Sequence, residues 1–218
     1  SKSKIDIVQA VGRAIRKSDR EKIGTVVIPV FINEVTGEDP VEQLNLSEFA
    51  PVWNILTALR AHDEVLKEEL DQLRFSLGRH RGRMVGPLPT KIRLDIPTEV
   101  GKGFVDALQT RIVEMTTGSW EFCFGLLQAY AEIEGHTQVP VGHTESISGE
   151  VYRLGGWVIR QRANKDMLSP EQIGKLESLP GWVWSSYEAA WEEAFTMLRK
   201  FLDREGHLLV PVRYSEDN

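Results

Sequence analysis

Hydrophobic positions recur along this chain mostly at helical spacing, with two stretches that break the rule. Ile5, Val8, Val11 and Ile15 stand about one turn apart with charged residues between them, which predicts a helix over 5–17 ending near Ser18-Asp19. The run GTVVIPVFI (24–32) is almost continuously apolar and rich in β-branched residues. That pattern predicts a strand buried on both faces, with Pro29 confining it to an edge or a bulge. Residues 33–46 are polar and broken by Gly37 and Pro40, as a linker is. Trp53, Leu56, Leu59, Leu66, Leu70 and Leu73 then predict one long helix over 46–77, with His62-Asp63 as the place for a kink. GRHRGRMVGPLP (78–89) reads as a basic, glycine-rich flexible loop. KIRLDI (91–96) alternates and ends at Pro97, as a strand does. Residues 99–116 return to helical spacing, with Gly101 and Gly103 weakening the first turn.

The last hundred residues repeat. WEFCFGLLQAYAEIEGHTQVPVGHTE (120–145) realigns without a gap on WEEAFTMLRKFLDREGHLLVPVRYSE (191–216), at a constant offset of 71 residues. Trp120, Phe124, Leu127 and Tyr130 match Trp191, Phe195, Leu198 and Phe201, the buried stripe expected of one helix. Gly135 and Gly206 fall where a left-handed helix cap belongs, and Val-Pro-Val then runs extended. Residues 153–166 predict a second short helix. A third begins at Ser169 as N-cap with Pro170 in its first turn and stops at Pro180-Gly181. The first repeat is thus a three-helix module, and the second breaks off after its first helix and loop.

Composition narrows the classes. The 218 residues hold one cysteine, Cys123, which excludes a disulfide framework and a cysteine-based zinc site and suits the cytoplasm. No apolar run is long enough to span a membrane, and there is no signal-peptide pattern. The net charge of -6 conceals blocks. Residues 1–33 carry 7 basic and 3 acidic side chains, 34–73 carry 2 and 10, and 74–93 carry 6 and none. Residues 120–218 carry 9 and 15. A polyanion would have to meet local basic patches.

Chemistry concentrates at the front. Gln9, Arg13 and Arg16 lie at i, i+4 and i+7, on one helix face, with Gly12 allowing close approach to the backbone. Guanidinium forks match phosphate oxygens, and such a face can stabilise charge on a transferred γ-phosphoryl group while a glutamine orients water. DIVQAVGRAIR followed by KIGTVVIPVF resembles motif VI of superfamily 2 helicases and the strand after it in the second RecA-like lobe. EGHxxVPV, RLGGWVIRQR and LSPEQIGKLESLPGWVW resemble the helicase-associated domain that follows that lobe in some bacterial DEAD/DEAH-box-like helicases. The resemblance covers 1–33 and 120–218 well and 34–119 loosely. It implies Arg13 and Arg16 as arginine fingers and Gln9 as the water-positioning residue. No G-x-x-x-x-G-K-[ST] loop and no D-E-x-[DH] motif occurs in the chain. The expectation is therefore a C-terminal fragment of a longer motor: ATP and Mg²⁺ would be bound by the full-length parent through its missing N-terminal lobe, and this chain alone should not hydrolyse ATP.

The expected fold is mainly α with a small α/β part. It comprises the end of a RecA-like lobe (1–33), a helical connector with basic loop 74–93 (34–119), one helicase-associated repeat (120–190) and a truncated second (191–218). Candidate nucleic-acid contacts are Arg153, Arg160, Arg162 and Lys165 around the second helix of the repeat, with Trp157 as core beside them. Arg79, Arg81 and Arg83 belong to a cluster with Arg74, Lys91 and Arg93 that has no nearby acid, and read equally as a nucleic-acid grip or a solvated loop. Trp182 and Trp184 read as core, His136 and His207 as backbone-bonded helix-end caps, and Cys123 as inert; no metal site is expected. Partners would be DNA or RNA, with the strand 24–32 free to pair with another chain and no membrane. The competing reading is a non-catalytic helical-repeat adaptor that binds a protein.

Overall fold

The computed structural model describes residues 25–30, 44, 49–97 and 100–211. The helix expected over 5–17, with Gln9, Arg13 and Arg16, lies outside the described residues. The described chain is mainly helical, with a single two-stranded sheet. In order the elements are α1 (Ala50–His62), α2 (Glu64–Arg79), α3 (Lys102–Thr116), α4 (Ser119–Glu134), β1 (Glu145–Ile147), β2 (Glu150–Tyr152), α5 (Leu154–Ala163), α6 (Pro170–Glu177) and α7 (Ser186–Glu205). A 3₁₀ turn, Lys165–Met167, follows α5. The chain divides into two compact units, 1–130 with 146–152 and 131–145 with 153–218.

In the first unit α1, α2 and α3 pack on one another. Each presents an apolar stripe: Trp53 and Leu56, then Leu66, Leu70 and Leu77, then Phe104, Leu108 and Ile112, all buried. Phe49 stacks on Trp53 at 5.8 Å and meets Phe104 at 6.4 Å. The long helix expected over 46–77 is in fact two. Asp63 is extended at the break (φ -133, ψ 99) and caps α2 by accepting the Leu66 N–H at 3.0 Å. An aspartate competes with the helical backbone for hydrogen bonds, so the sequence places a cap where a stripe alone suggests continuity. A hydrogen bond from Lys91, then the Leu66 N–H, holds the Asp63 carboxyl below its ordinary value of 3.8.

Two stretches expected to be strands are not strands where they are described. Residues 92–97 carry the exposure alternation the sequence promised, but among the described residues no strand lies beside them. Period-two patterning describes a half-buried extended chain; a sheet also needs a partner. Residues 25–30, the described part of the strand expected at 24–32, adopt no strand, and Val27 is exposed. Conversely, the β1–β2 hairpin was not anticipated. Its signal is Ser148-Gly149, whose φ of 51 and 84 make the two-residue turn that suits twisted strands.

Gly78, expected to open a flexible loop, lies inside α2 and is buried against α4. A Cβ there would stand 2.0 Å from the Phe122 carbonyl oxygen, and one on Gly125 would stand 2.2 Å from that of Phe75. The two glycines let α2 and α4 cross backbone to backbone. After Gly78 the helix closes with two reverse bonds, Gly82 N–H to Leu77 O at 2.7 Å and Arg81 N–H to Gly78 O at 3.0 Å. That is a Schellman close, with Arg81 (φ 52) in the left-handed position usually held by glycine.

Candidate nucleic-acid interface

The repeat is visible in the backbone. Gly135 (φ 76) donates to Ala131 O at 2.9 Å, and Gly206 (φ 72) to Leu202 O at 2.8 Å. His136 Nδ1 accepts the Gln138 N–H at 3.3 Å, and His207 Nδ1 the Leu209 N–H at 3.3 Å. Val139 and Val210 then donate to Thr137 O and Leu208 O, each at 3.0 Å. Three bonds of one kind recur at an offset of 71, and both histidines serve the backbone at a helix end as their sequence context suggested.

In the second unit the extended Val-Pro-Val segment provides a seat for α5. Gly155 donates to His143 O at 3.2 Å, and a Cβ on it would stand 2.0 Å from Pro140 O. With Gly155, α5 buries Leu154, Trp157, Val158 and Gln161, so Trp157 is core. Burying that face turns Arg153 and Arg160 out, and both are exposed. Between them lies Gly156: a Cβ added there would sit 3.6 Å from Arg160 Nη1 and 4.0 Å from Arg153 Cβ. Two guanidinium-bearing residues therefore flank a backbone step that carries no side chain of its own, with the end of the Arg160 side chain lying over it.

Arg162 and Lys165 take a different position. The Arg162 guanidinium lies 5.1 Å from the Trp182 ring centre and donates to Thr137 O at 3.4 Å; burial pulls its pKa below the ordinary arginine value. The Lys165 ammonium lies 4.6 Å from the Trp184 ring centre and 3.6 Å from the Glu177 carboxylate. Trp184 Nε1–H donates to that carboxylate at 2.7 Å, and the two indoles meet edge-on at 5.3 Å. Each cation–π contact is worth about 0.5–2 kcal/mol depending on desolvation. Both indoles are only partly buried, where full core burial was expected. Their exposed area is shared with two cations, because Pro180 and Gly181 (φ 67) turn the chain back toward His136. Ser169 and Pro170 start α6 as their types predict, in a capping box with Gln172. Glu177 and Thr137, which anchor the cations, were not singled out in the sequence, since nothing local marks an anchor that acts across a fold.

In the first unit, Arg79, Arg81 and Arg83 are exposed around the end of α2, where the helix dipole favours positive charge. The cluster they belong to does have acids in space. Arg74 is buried over the Phe122 ring at 4.5 Å and pairs with Glu114 at 3.3 Å, and Lys91 pairs with Asp63. Both acids lie outside the basic stretch in sequence.

Among the described residues no group of three or more His, Cys, Asp or Glu is placed to hold a metal ion, and no helix is long and apolar enough to cross a membrane. No curated protein and no solved structure matches the chain. Residues 117–185, which contain α4, the hairpin, α5, α6 and the tryptophan pair, match the family model of the helicase associated domain. This part of the chain is a helicase-associated region.

Proposed function

We propose that the chain is the C-terminal part of an ATP-dependent nucleic-acid helicase or translocase, in which residues 117–185 contact the nucleic acid. The observation that carries this reading is the Arg153–Gly156–Arg160 surface within the helicase-associated region. Its two arginines are set for adjacent phosphates, and the glycine lets a sugar-phosphate backbone approach. Arg162 and Lys165, which brace the two indoles, add positive charge to the region; Arg79, Arg81 and Arg83 supply a further basic patch in the first unit. The surrounding region is acidic overall, so binding should be local and strongly salt-dependent. The test is fluorescence anisotropy with labelled single- and double-stranded DNA and RNA at two salt concentrations. Arg153→Ala/Arg160→Ala should weaken binding about tenfold at low salt, at about one unit of salt slope per lost phosphate contact. Wild-type affinity in that variant would remove the basis for the assignment. Failure of the wild type to bind any of the four ligands at low salt would favour the adaptor reading, which the net acidity already supports.

The spacing of Gln9, Arg13 and Arg16 supports a second role: Arg13 and Arg16 as arginine fingers on ATP–Mg²⁺ held by the rest of the parent protein, with Gln9 ordering the water. In the full-length protein, Arg16→Ala should lower nucleic-acid-stimulated ATPase about a thousandfold or more while ATP binding persists. Undiminished turnover would rule the role out.

A further inference from the structure

The outward face of α5 is wider than its two arginines. A helix turns about 100° per residue, so Arg153, Gly156 and Arg160 fall within about 60° of one another, and Ala163 and Ile159 follow about 60° and about 100° round from Arg160. All five lie away from the buried stripe of Leu154, Trp157, Val158 and Gln161. Ile159 is 42% exposed, and Ala163 is exposed beside it. The face is thus a basic rim, a glycine step and an apolar strip. Over 153–163 the sequence holds no acid. Its polar side chains other than the two rim arginines are spoken for, since Gln161 is buried and Arg162 lies over Trp182. Its one aromatic residue, Trp157, is in the core.

We propose that α5 enters the major groove of duplex DNA and that Ile159 reads thymine there, an inference that rests on the nucleic-acid reading of the Arg153–Gly156–Arg160 surface. The composition of the face chooses among nucleic acids. Single strands are gripped by stacking splayed bases on exposed aromatic rings, and this face offers none. Duplex RNA has a major groove too deep and narrow for side chains to read, and its wide minor groove displays 2′-hydroxyls, which call for hydrogen bonds that an isoleucine and an alanine do not make. B-form DNA has a major groove about 12 Å wide, which admits a helix about 10–12 Å across. The negative phosphates on one wall of that groove complement Arg153 and Arg160, and Gly156 lets that wall come close. The strip of Ile159 and Ala163 then faces the base pairs. Apolar side chains cannot hydrogen-bond to base edges, and the apolar group that the major groove displays is the 5-methyl of thymine. Ala163 is short enough to let the helix settle while Ile159 reaches that methyl. Uracil lacks it, so the same contact separates DNA from RNA.

Competition anisotropy reads the methyl directly. The probe is a short duplex of A·T pairs in a non-self-complementary order, against the same duplex with deoxyuridine in place of every thymidine, which keeps the pairing and removes the methyls. The wild type should prefer the thymine duplex about fourfold, the worth of about one buried methyl group. It should bind duplex RNA of the same order, and each DNA strand alone, at least about tenfold more weakly. Ile159→Ala should bind the thymine and deoxyuridine duplexes equally. A general loss of folding lowers both affinities and does not produce that change of ratio, and Ile159 is exposed on a helix that alanine favours. Equal wild-type affinity for the two duplexes, a thymine preference that survives Ile159→Ala, or tighter binding to RNA or to a single strand overturns the proposal while the phosphate contacts of Arg153 and Arg160 stand. Binding to none of these probes at low salt removes both readings together.

Discussion

Replacing Gly125 with alanine is expected to destabilise the first unit by about 3 kcal/mol, at the upper end of overpacking costs. The new Cβ would stand 2.2 Å from Phe75 O and 2.7 Å from Arg79 N, and both are backbone atoms of a helix. A flexible side chain could rotate away, but here the helix itself must move. Moving α2 would also disturb Phe75 against Phe124 and the Arg74 guanidinium over Phe122. Gly78→Ala meets Phe122 O at 2.0 Å and should cost a similar amount. The two substitutions act on one crossing, so their costs should combine to less than the sum, since a helix already displaced by one methyl has room for the other. Chemical denaturation of the two single variants and the double variant checks this. Full additivity, or a cost under about 0.5 kcal/mol for either glycine, would show that the helices do not touch there.

The second large effect separates neighbouring glycines. Gly155→Ala should cost about 3 kcal/mol, because its Cβ would meet Pro140 O at 2.0 Å and Val141 O at 2.7 Å, in a segment that Pro140 stiffens. Gly156→Ala should stabilise by about 0.5–1 kcal/mol, since its nearest neighbour is the far end of the Arg160 side chain at 3.6 Å and alanine is the better helix former. The same Gly156→Ala protein should bind nucleic acid less well if the phosphate backbone approaches between Arg153 and Arg160. Thermal unfolding and anisotropy on the pair therefore read two roles from two adjacent residues. Equal effects on stability would refute the seating of α5 on the Val-Pro-Val segment.

Much of this was legible without coordinates. Helical spacing located α3, α4, α5 and α7 to within a few residues, and Ser169-Pro170 fixed the start of α6, because those signals are local. The repeat predicted matching glycine caps and histidine–backbone bonds, which depend on residues within one loop. The expectation failed where a partner was needed. KIRLDI has the right alternation but no neighbouring strand among the described residues, and at His62-Asp63, where a kink was expected, the helix breaks outright so that α1 and α2 pack on each other. The pairing of Arg74 with Glu114 and of Lys165 with Glu177 was equally invisible, since sequence distance says little about which charges meet.

By itself, the sequence determined the helical content, the 71-residue repeat and the identities of the exposed arginines on α5, because period, caps and residue type act over a few turns of chain. Only the tertiary structure decided which glycines are crossings, which cations brace tryptophans, and that Phe124 of the first repeat is covered while its counterpart Phe195 is exposed. Those outcomes depend on which surface arrives from elsewhere in the chain, and two similar stripes carry no record of that.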